Sequence, residues 1–236
     1  MDWTAYAACY DLMAESNPAY QEIFPLIDRL VSPLQLNEGD QVLELGAGTG
    51  NFTGHLATSF PQCQITAIEF DSGMIGIAEN KCRRASVSNV VFRAGDHHAL
   101  IDQDRVFSLV VAVHTIYCSP TPRSLLSKIF ASLRPGGAAV VVDLGRPMNV
   151  ADWRAYIFRG LVRRQGILKA VHTLWRGRVV AQSNHAIRDQ QDAGRYWTHS
   201  TEDFVDAIRA EGFEIREHGR CYRDYSDWVL AIKPMT

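Results

Sequence analysis

A glycine-rich loop directly after a short apolar segment most limits what this chain can fold into. Val42-Leu43-Glu44-Leu45 has the character of a buried strand, and Gly46-Ala47-Gly48-Thr49-Gly50 follows it before a helical stretch over residues 51–59. Glycines in a strand-to-helix turn let the backbone bend sharply and approach a ligand closely. The segment therefore predicts the first strand–helix unit of an open α/β sheet, with a ligand at its carboxyl edge.

Strand-like and helix-like segments alternate beyond this loop. The apolar pattern predicts strands over residues 64–68, 89–92, 106–113 and 138–144, helices over 72–84 and 123–133, and then a helix over 202–211 before strands over 213–217 and 227–232. Such alternation is typical of a parallel sheet with right-handed helical crossovers. Two further helices are predicted between residues 3 and 31, the second capped by Asn17-Pro18.

A carboxylate ends the strand that follows the glycine loop. Glu69 lies 23 residues after Gly46, where an acid can accept hydrogen bonds from both hydroxyls of a ribose. The loop spacing is G-x-G-x-G, whereas dinucleotide sites use G-x-G-x-x-G, and no Lys-Ser or Lys-Thr pair follows as in a P-loop. These features predict a site for an adenosine-type nucleoside.

Four segments closely resemble the motifs of the class I S-adenosylmethionine-dependent methyltransferases. They are residues 42–50, residues 68–75, residues 95–100 and the turn Leu133-Arg134-Pro135-Gly136-Gly137. The likeness is strong over residues 41–144 and looser over 201–234. It implies an α/β fold with a doubly wound, seven-stranded, mostly parallel Rossmann-like sheet whose last strand is antiparallel. It also implies S-adenosyl-L-methionine as cofactor and S-adenosyl-L-homocysteine as product.

The same resemblance assigns the cofactor contacts. The methionine part would lie over the glycine loop with Glu44 nearby, the ribose at Glu69, and the adenine against Met74, Asp96 and His97. An aromatic ring of the leading helix would face the sulfonium, although ordinary helix packing is an alternative role for it. The predicted cofactor contacts are Tyr10, Glu44, Gly46, Ala47, Gly48, Gly50, Glu69, Phe70, Met74, Asp96, His97 and His114.

Catalytic residues are harder to assign, because methyl transfer from a sulfonium is an in-line displacement that depends mainly on alignment. A base is needed only when the acceptor must lose a proton. His114, after the fourth predicted strand, is the first candidate base and His98 the second; each could instead simply pack against the cofactor or bond the backbone. The candidate substrate contacts are Tyr6, Tyr117, Arg159, Arg163, Trp197 and His199. For His199 a place beside a helix cap at Ser200 or Thr201 is an alternative.

Residues 151–200 interrupt the alternation and differ in charge from the rest. They contain nine Lys/Arg and three Asp, a net charge of +6, whereas the other residues carry 15 basic and 23 acidic side chains, a net charge of −8. Trp153, Ile157 and Leu161 predict a helix ending at Gly166, and a second short helix ends at Gly177. We expect a mostly helical lid whose arginines select an anionic or carrier-linked small molecule. A solvated basic face and a basic helix on anionic lipid are the alternatives.

Length and composition limit the broad class. A chain of 236 residues with 47% hydrophobic and 21% charged residues suits one globular domain with an insertion. The predicted divisions are a helical cap (1–40), the α/β core (41–146), the lid (147–200) and a closing helix with two strands (201–236). Five scattered cysteines without a C-x-x-C pair argue against disulfides and a metal site. No signal peptide or membrane span of ~20 residues is predicted, so we expect a cytoplasmic protein.

Several function classes remain open alongside a small-molecule O- or N-methyltransferase. A nicotinamide-dependent oxidoreductase is disfavoured by the glycine spacing. A protein of the same fold could bind S-adenosylmethionine without transferring methyl, and lipid, quinone or RNA acceptors are further alternatives. DNA is not an expected partner, because the fourth strand is followed by Val113-His114-Thr115-Ile116-Tyr117 and not by the Asn-Pro-Pro-Tyr type of motif. The residues do not specify an oligomeric state.

Overall fold

The computed structural model describes residues 3–100 and 107–235, and the side chains of all of these except residues 3–6, 8, 9, 13 and 100. The strands in these ranges are β1 (Gln41–Leu45), β2 (Gln64–Glu69), β3 (Val90–Ala94), β4 (Phe107–Val113), β5 (Leu133–Leu144), β6 (Glu214–Cys221) and β7 (Ser226–Ile232). They form one sheet in the order β3-β2-β1-β4-β5-β7-β6. The first five are parallel, whereas β7 runs antiparallel to both β5 and β6. The predicted seven-stranded, doubly wound α/β fold is confirmed.

The described helices fall mostly where the apolar spacing predicted them. They are α1 (Trp3–Ser16), α2 (Pro18–Gln21), α3 (Ile23–Val31), α4 (Asn51–Ser59), α5 (Ser72–Arg84), α6 (His97–Leu100), α7 (Pro122–Ser132), α8 (Val150–Gln165), α9 (Ile167–Arg176), α10 (Arg178–Asp192) and α11 (Thr201–Ala210). The second predicted helix is interrupted at Glu22, which separates α2 from α3. Helix α10 was not predicted, because its buried residues are only Val180, Ile187 and Gln191, too sparse to give a clear period.

Both faces of the sheet are covered, which explains why β4 reads as an almost continuous apolar run. On one face the strands pack against Leu125 and Ile129 of α7 and Phe204 of α11. On the other face they pack against Ile27 of α3 and Leu56 of α4. Because β1 to β5 are parallel, their carboxyl ends lie along one edge of the sheet, where the glycine loop also lies.

Side-chain caps begin two of the helices that the sequence predicted. The Asn17 side chain accepts a hydrogen bond from the N–H of Ala19 at 3.1 Å, and Pro18 occupies the first helical turn, as predicted. Ser200 caps α11 through a reciprocal capping box with Asp203. The alternative prediction for this segment, a helix cap at Ser200 beside His199, is therefore confirmed.

The insertion after β5 consists of α8, α9 and α10. Its apolar residues, among them Trp153, Ile157 and Ile187, form a separate cluster with Tyr117 after β4 and Leu144 at the end of β5. A small cluster of Ala7, Met74 and Val180 joins α1 and α5 to α10. The insertion is thus anchored at the carboxyl edge of the sheet. Across the part of the chain that is described, no helix has an apolar run long enough to cross a bilayer.

Candidate active site

A cavity of about 700 Å³ lies at the carboxyl edge of the sheet. Its walls come from the loop after β1, the ends of β2 and β4, helix α1 and the insertion. Strand β1 lies between β2 and β4, so the chain reverses its winding direction here. Ligands of open α/β sheets bind at such a switch point, and cavities of this size hold small molecules.

The first two glycines of the loop have different physical roles. Gly46 has φ +74°, and a side chain there would collide with Thr115, whose hydroxyl donates to the Leu45 carbonyl at 3.0 Å. Gly48 has φ +55°, and a Cβ there would have no protein atom within 4 Å. Gly46 is therefore required for packing, whereas Gly48 exposes backbone at the cavity wall.

Three predicted cofactor residues do not line the cavity in the structure. A Cβ on Gly50 would lie 2.7 Å from the Ala78 side chain, so this glycine lets α4 and α5 pack closely. Ala47, within the loop, and Glu44, on β1, are both buried. Their positions can shape the loop, but neither residue lines the cavity.

Glu69 is fixed at the cavity wall by backbone donors. One carboxylate oxygen accepts a hydrogen bond from the N–H of Gly48 at 2.8 Å, and the other accepts from the N–H of Asp71 at 3.1 Å. Each carboxylate oxygen has capacity for a further hydrogen bond, so both can still accept from ligand hydroxyls. The same side chain thus orders the glycine loop and offers the two acceptors that a ribose needs.

The neighbouring wall suits a flat, polar ring. Phe70, Met74, Asp96 and His97 all line the cavity there. Nε2 of His97 is buried, and among the described residues it has no hydrogen-bond partner. Burial lowers the pKa of His97 despite the opposing charges of Glu69 and Asp96, which favours the neutral ring. A buried polar atom of this kind needs a partner, and a bound heterocycle would supply one.

A polar network attaches α1 to the glycine loop. The Asp11 carboxylate accepts hydrogen bonds from the Thr49 hydroxyl at 2.6 Å and from the Lys81 ammonium at 2.7 Å. The ammonium also donates to the Asn51 side-chain oxygen at 2.7 Å. The network places the adjacent Tyr10 at the cavity. Sequence reasoning missed it, because Asp11 and Lys81 are far apart in the chain and carry no motif.

Replacing Lys81 by Met should loosen α1 and weaken binding of the expected cofactor, S-adenosylmethionine, about two- to tenfold. The lost hydrogen bonds are partly exposed, with side-chain exposures of 34% for Lys81 and 28% for Asp11, so they contribute about 0.5–1.5 kcal/mol. Titration calorimetry measures the affinity. Arg83→Met, on the exposed side of the same helix, is the matched control and should bind as the wild type does. Equal affinities of the two variants would refute a positioning role for the network.

His114 occupies a constrained position at the end of β4. It has φ +52°, its Nε2 lies 2.8 Å from the Ser226 hydroxyl, and its ring centroid lies 4.8 Å from that of Tyr222. Burial lowers the pKa of His114 to about 4, so the ring is neutral at physiological pH. A group with so low a pKa is an inefficient base near neutrality. A general base at His114 stays a prediction, and the low pKa favours its alternative, a neutral hydrogen-bonding wall.

His98, the second candidate base, also lines the cavity. Its Nε2 lies 3.1 Å from the Ser119 hydroxyl and 3.3 Å from the Thr121 hydroxyl. Its backbone N–H donates to Asp96 at 2.9 Å. These contacts give His98 a role in holding the segment after β3 against the segment after β4.

The end of the cavity beneath the insertion is mostly apolar and aromatic. The side chains that define this acceptor end are Tyr117, Met148, Trp153, Ile157, Leu174 and Tyr222. Arg154 and Arg178 also line the cavity. An apolar wall with a few charged groups binds a ligand mainly through its hydrocarbon part. Of the predicted substrate contacts, Tyr117 lines the cavity. The Tyr6 side chain lies outside the part of the chain that the structure describes.

The structure corrects the prediction that Arg159 and Arg163 contact the substrate. Both are exposed on α8 and neither lines the cavity. The reason is geometric, since Arg159 follows the buried Ile157 by two residues and so points to the opposite side of a helix. Arg154, three residues before Ile157, lies on the inward side.

The predicted substrate contacts Trp197 and His199 are also corrected, because both side chains pack beside α11. Both rings pack near Phe204, and His199 stacks on it at 4.5 Å between centroids. Nδ1 of His199 lies 3.2 Å from the Asp227 carboxylate, which also accepts from Arg146 at 2.7 Å. The cluster ties the segment before α11 to β7, away from the cavity lining.

Comparisons with known proteins agree with this geometry. A family model described as "Methyltransferase domain" matches residues 42–137. A malonyl-[acyl-carrier protein] O-methyltransferase of Marinomonas sp. (strain MWYL1) is 30% identical over 139 residues, which are 58% of this chain and 50% of that protein. A demethylmenaquinone methyltransferase of Lactococcus lactis is 29% identical over 110 residues, 46% of this chain and 44% of that protein. The chain spans about half the length of these relatives.

Among solved structures, the N-methyltransferase NodS from Bradyrhizobium japonicum WM9, in complex with S-adenosyl-L-homocysteine, superposes with a TM-score of 0.62. The alignment covers 94% of this chain and 91% of that protein at 19% sequence identity. At this identity the likeness shows the fold alone.

Proposed function

We propose that this chain, whose residues 42–137 match a methyltransferase-domain family model, is a class I S-adenosylmethionine-dependent methyltransferase that transfers a methyl group to a small molecule with a large apolar part. One observation carries the proposal. A single cavity joins Gly48 and Glu69 at one end to the aromatic and aliphatic wall around Trp153 at the other. The names of the two relatives, one acting on a carrier-linked malonyl group and one on demethylmenaquinone, are compatible with such an acceptor.

The chain's own residues would position both reactants. Glu69 would accept hydrogen bonds from the ribose, His97 would contact the adenine, and the Tyr10 ring would attract the positively charged sulfur. When bound, S-adenosylmethionine supplies a methyl group that is already activated on that sulfur. The apolar wall around Trp153 orients the acceptor and excludes water, so that the acceptor's lone pair is held in line with the methyl group. Such alignment can supply ~7–11 kcal/mol of the rate enhancement.

His114 would orient the acceptor as a neutral hydrogen-bonding group. Its ring lies between the cofactor end and the apolar end, and Ser226 and Tyr222 fix its orientation. Transfer would then need no proton to be taken up by His114, because an acidic acceptor would lose its proton to solvent before it binds and a methylated amine would lose its proton after release.

His114→Asn should lower turnover by less than the 10²–10⁴-fold expected for loss of a general base. Because the pKa of His114 is about 4, the turnover of the wild type should show no step from this group above pH 6.5. Steady-state rates of both proteins as a function of pH measure this. A loss of more than 10²-fold, together with a changed pH profile, would instead identify His114 as the base.

An acceptor series tests the proposed substrate class. We would incubate the protein with methyl-labelled S-adenosylmethionine and matched alcohols, phenols, acids and amines whose alkyl chains increase in length. The expected result is a kcat/KM that rises with apolar length, by up to about threefold to fourfold per buried CH₂. Preference for the shortest, most polar members would contradict the proposal. Comparing each acid with its amide, in the wild type and in Arg154→Ala, shows whether the acceptor is anionic.

A further inference from the structure

Helix α9 has two apolar sides. Ala170 is buried and Leu174 lines the cavity, whereas the other side exposes Leu168 at 84%, Val171 at 56% and Trp175 at 61%. These three residues, which we call the α9 apolar face, are three and four positions apart and so lie together on the helix. With Ile167, they are four of the seven large hydrophobic residues exposed in the described ranges. A cluster of this kind marks an interaction surface, whereas scattered exposed hydrophobic residues do not.

Positive charge is concentrated in the insertion that carries this face. Residues 153–188 contain eight Lys/Arg and no Asp or Glu. Lys169 and Arg176 are exposed on α9 itself. The guanidinium of Arg178 lies 4.7 Å from the centroid of the Trp175 ring. The surface therefore combines protruding apolar side chains with an unbalanced basic rim.

This combination favours one kind of partner. A second copy of the chain would bring two basic rims together, which is electrostatically unfavourable. RNA would use the cations but would leave Leu168 and Val171 exposed to water. An anionic lipid surface satisfies both parts, because its phosphates attract Lys and Arg while its acyl boundary takes up the apolar face. Trp at the edge of such a face is typical of membrane interfaces.

We propose that α9 docks in the plane of an anionic lipid bilayer and turns the cavity toward it. Leu174, next to Trp175 on α9, and Arg178, the first residue of α10, both line the cavity. A docked α9 would therefore place the acceptor end of the cavity next to the lipid phase. The direction of acceptor entry rests on the proposed function, whereas the docking itself depends only on α9.

Vesicle sedimentation tests the docking without acceptor or turnover. The wild-type protein is mixed with vesicles of phosphatidylcholine alone or of phosphatidylcholine with phosphatidylglycerol. We expect a partition coefficient at least about tenfold larger with the anionic lipid. Raising the salt concentration should reduce that difference, because salt screens exposed charges.

Matched variants distinguish binding through the α9 apolar face from non-specific adsorption of the protein to vesicles. Val171→Glu should lower the partition coefficient by about tenfold or more. Val91→Glu, on edge strand β3, is the control, since Val91 is 58% exposed against 56% for Val171. Lys169→Glu with Arg176→Glu should remove the preference for anionic lipid. Arg83→Glu with Arg84→Glu, exposed at the end of α5, makes the same change in net charge and should leave it in place.

Three results would overturn the docking. They are equal partition with both vesicle types, equal loss in Val171→Glu and Val91→Glu, and a wild-type dimer in sedimentation velocity that Val171→Glu converts to monomer. The last would assign the face to a second copy of the chain. Methyl transfer to a detergent-dispersed acceptor is measured separately, so failure of the docking and failure of the proposed function are distinguishable.

Discussion

Glu69→Ala is expected to weaken binding of S-adenosylmethionine by roughly 30- to 150-fold. The substitution removes both acceptors offered to the ribose and the contact that holds the Gly48 N–H at 2.8 Å. Hydrogen bonds to a charged group contribute roughly 2–3 kcal/mol, which corresponds to this loss of affinity. Titration calorimetry with the purified protein measures the dissociation constant directly.

Two further variants keep this result interpretable. Glu69→Gln retains one acceptor oxygen and should fall between wild type and Glu69→Ala. Glu79→Ala removes an exposed carboxylate from α5 and should bind as the wild type does. Thermal unfolding shows whether each variant remains folded. Unchanged affinity in folded Glu69→Ala would contradict the assignment of the ribose site.

Relative to the wild type, the free energy of unfolding of Glu44→Gln is expected to increase by on the order of 3 kcal/mol as pH rises from 4.5 to above 7. Burial and the nearby charge of Glu69 raise the pKa of Glu44 from 4.5 to about 7, although the Thr53 hydroxyl acts in the opposite direction. Between pH 4.5 and about 7, Glu44 keeps its proton in the folded protein but has lost it in the unfolded chain. Stability contributed by this group therefore falls as pH rises from 4.5 to 7, and the loss is complete above the folded pKa.

Urea unfolding of both proteins below pH 4.5 and above pH 7 measures the effect. The difference between variant and wild type removes the contribution of other groups, including His114, whose pKa is lowered and whose stabilisation is lost as pH falls from 6.5 toward 4. Glu79→Gln is the exposed control and should show a constant difference. A constant difference for Glu44→Gln as well would mean that its carboxyl group ionises normally in the folded protein.

Local patterns were sufficient to predict the core of the fold. The helices 51–59 and 72–84 have the predicted bounds, because each is set by a strand end, a cap and an apolar period that lie close together in the chain. The glycine loop and Glu69 could be identified for the same reason, since their spacing follows from a strand–helix–strand unit. Burial on both faces likewise made β4 recognisable.

The rest of the site depends on contacts between distant segments. Nothing near Asp11 indicates that Lys81 will bond to it, and the low pKa of His114 arises from burial that only the assembled fold creates. On α8, basic residues recur on more than one side, so the sequence alone favoured Arg159 where the structure places Arg154 at the cavity. The exposed side of α9 became apparent only once Leu174 and Ala170 were seen to occupy the inward side.

Transfer of label from methyl-labelled S-adenosylmethionine to an apolar acceptor tests the central claim most directly. The wild type should release labelled product together with S-adenosylhomocysteine in equal amounts. Glu69→Ala should need a higher cofactor concentration for half-maximal rate while its rate at saturating cofactor stays close to that of the wild type. If the wild type binds the cofactor but the label remains in it with every acceptor of the series, the cavity does not serve methyl transfer and the account is contradicted.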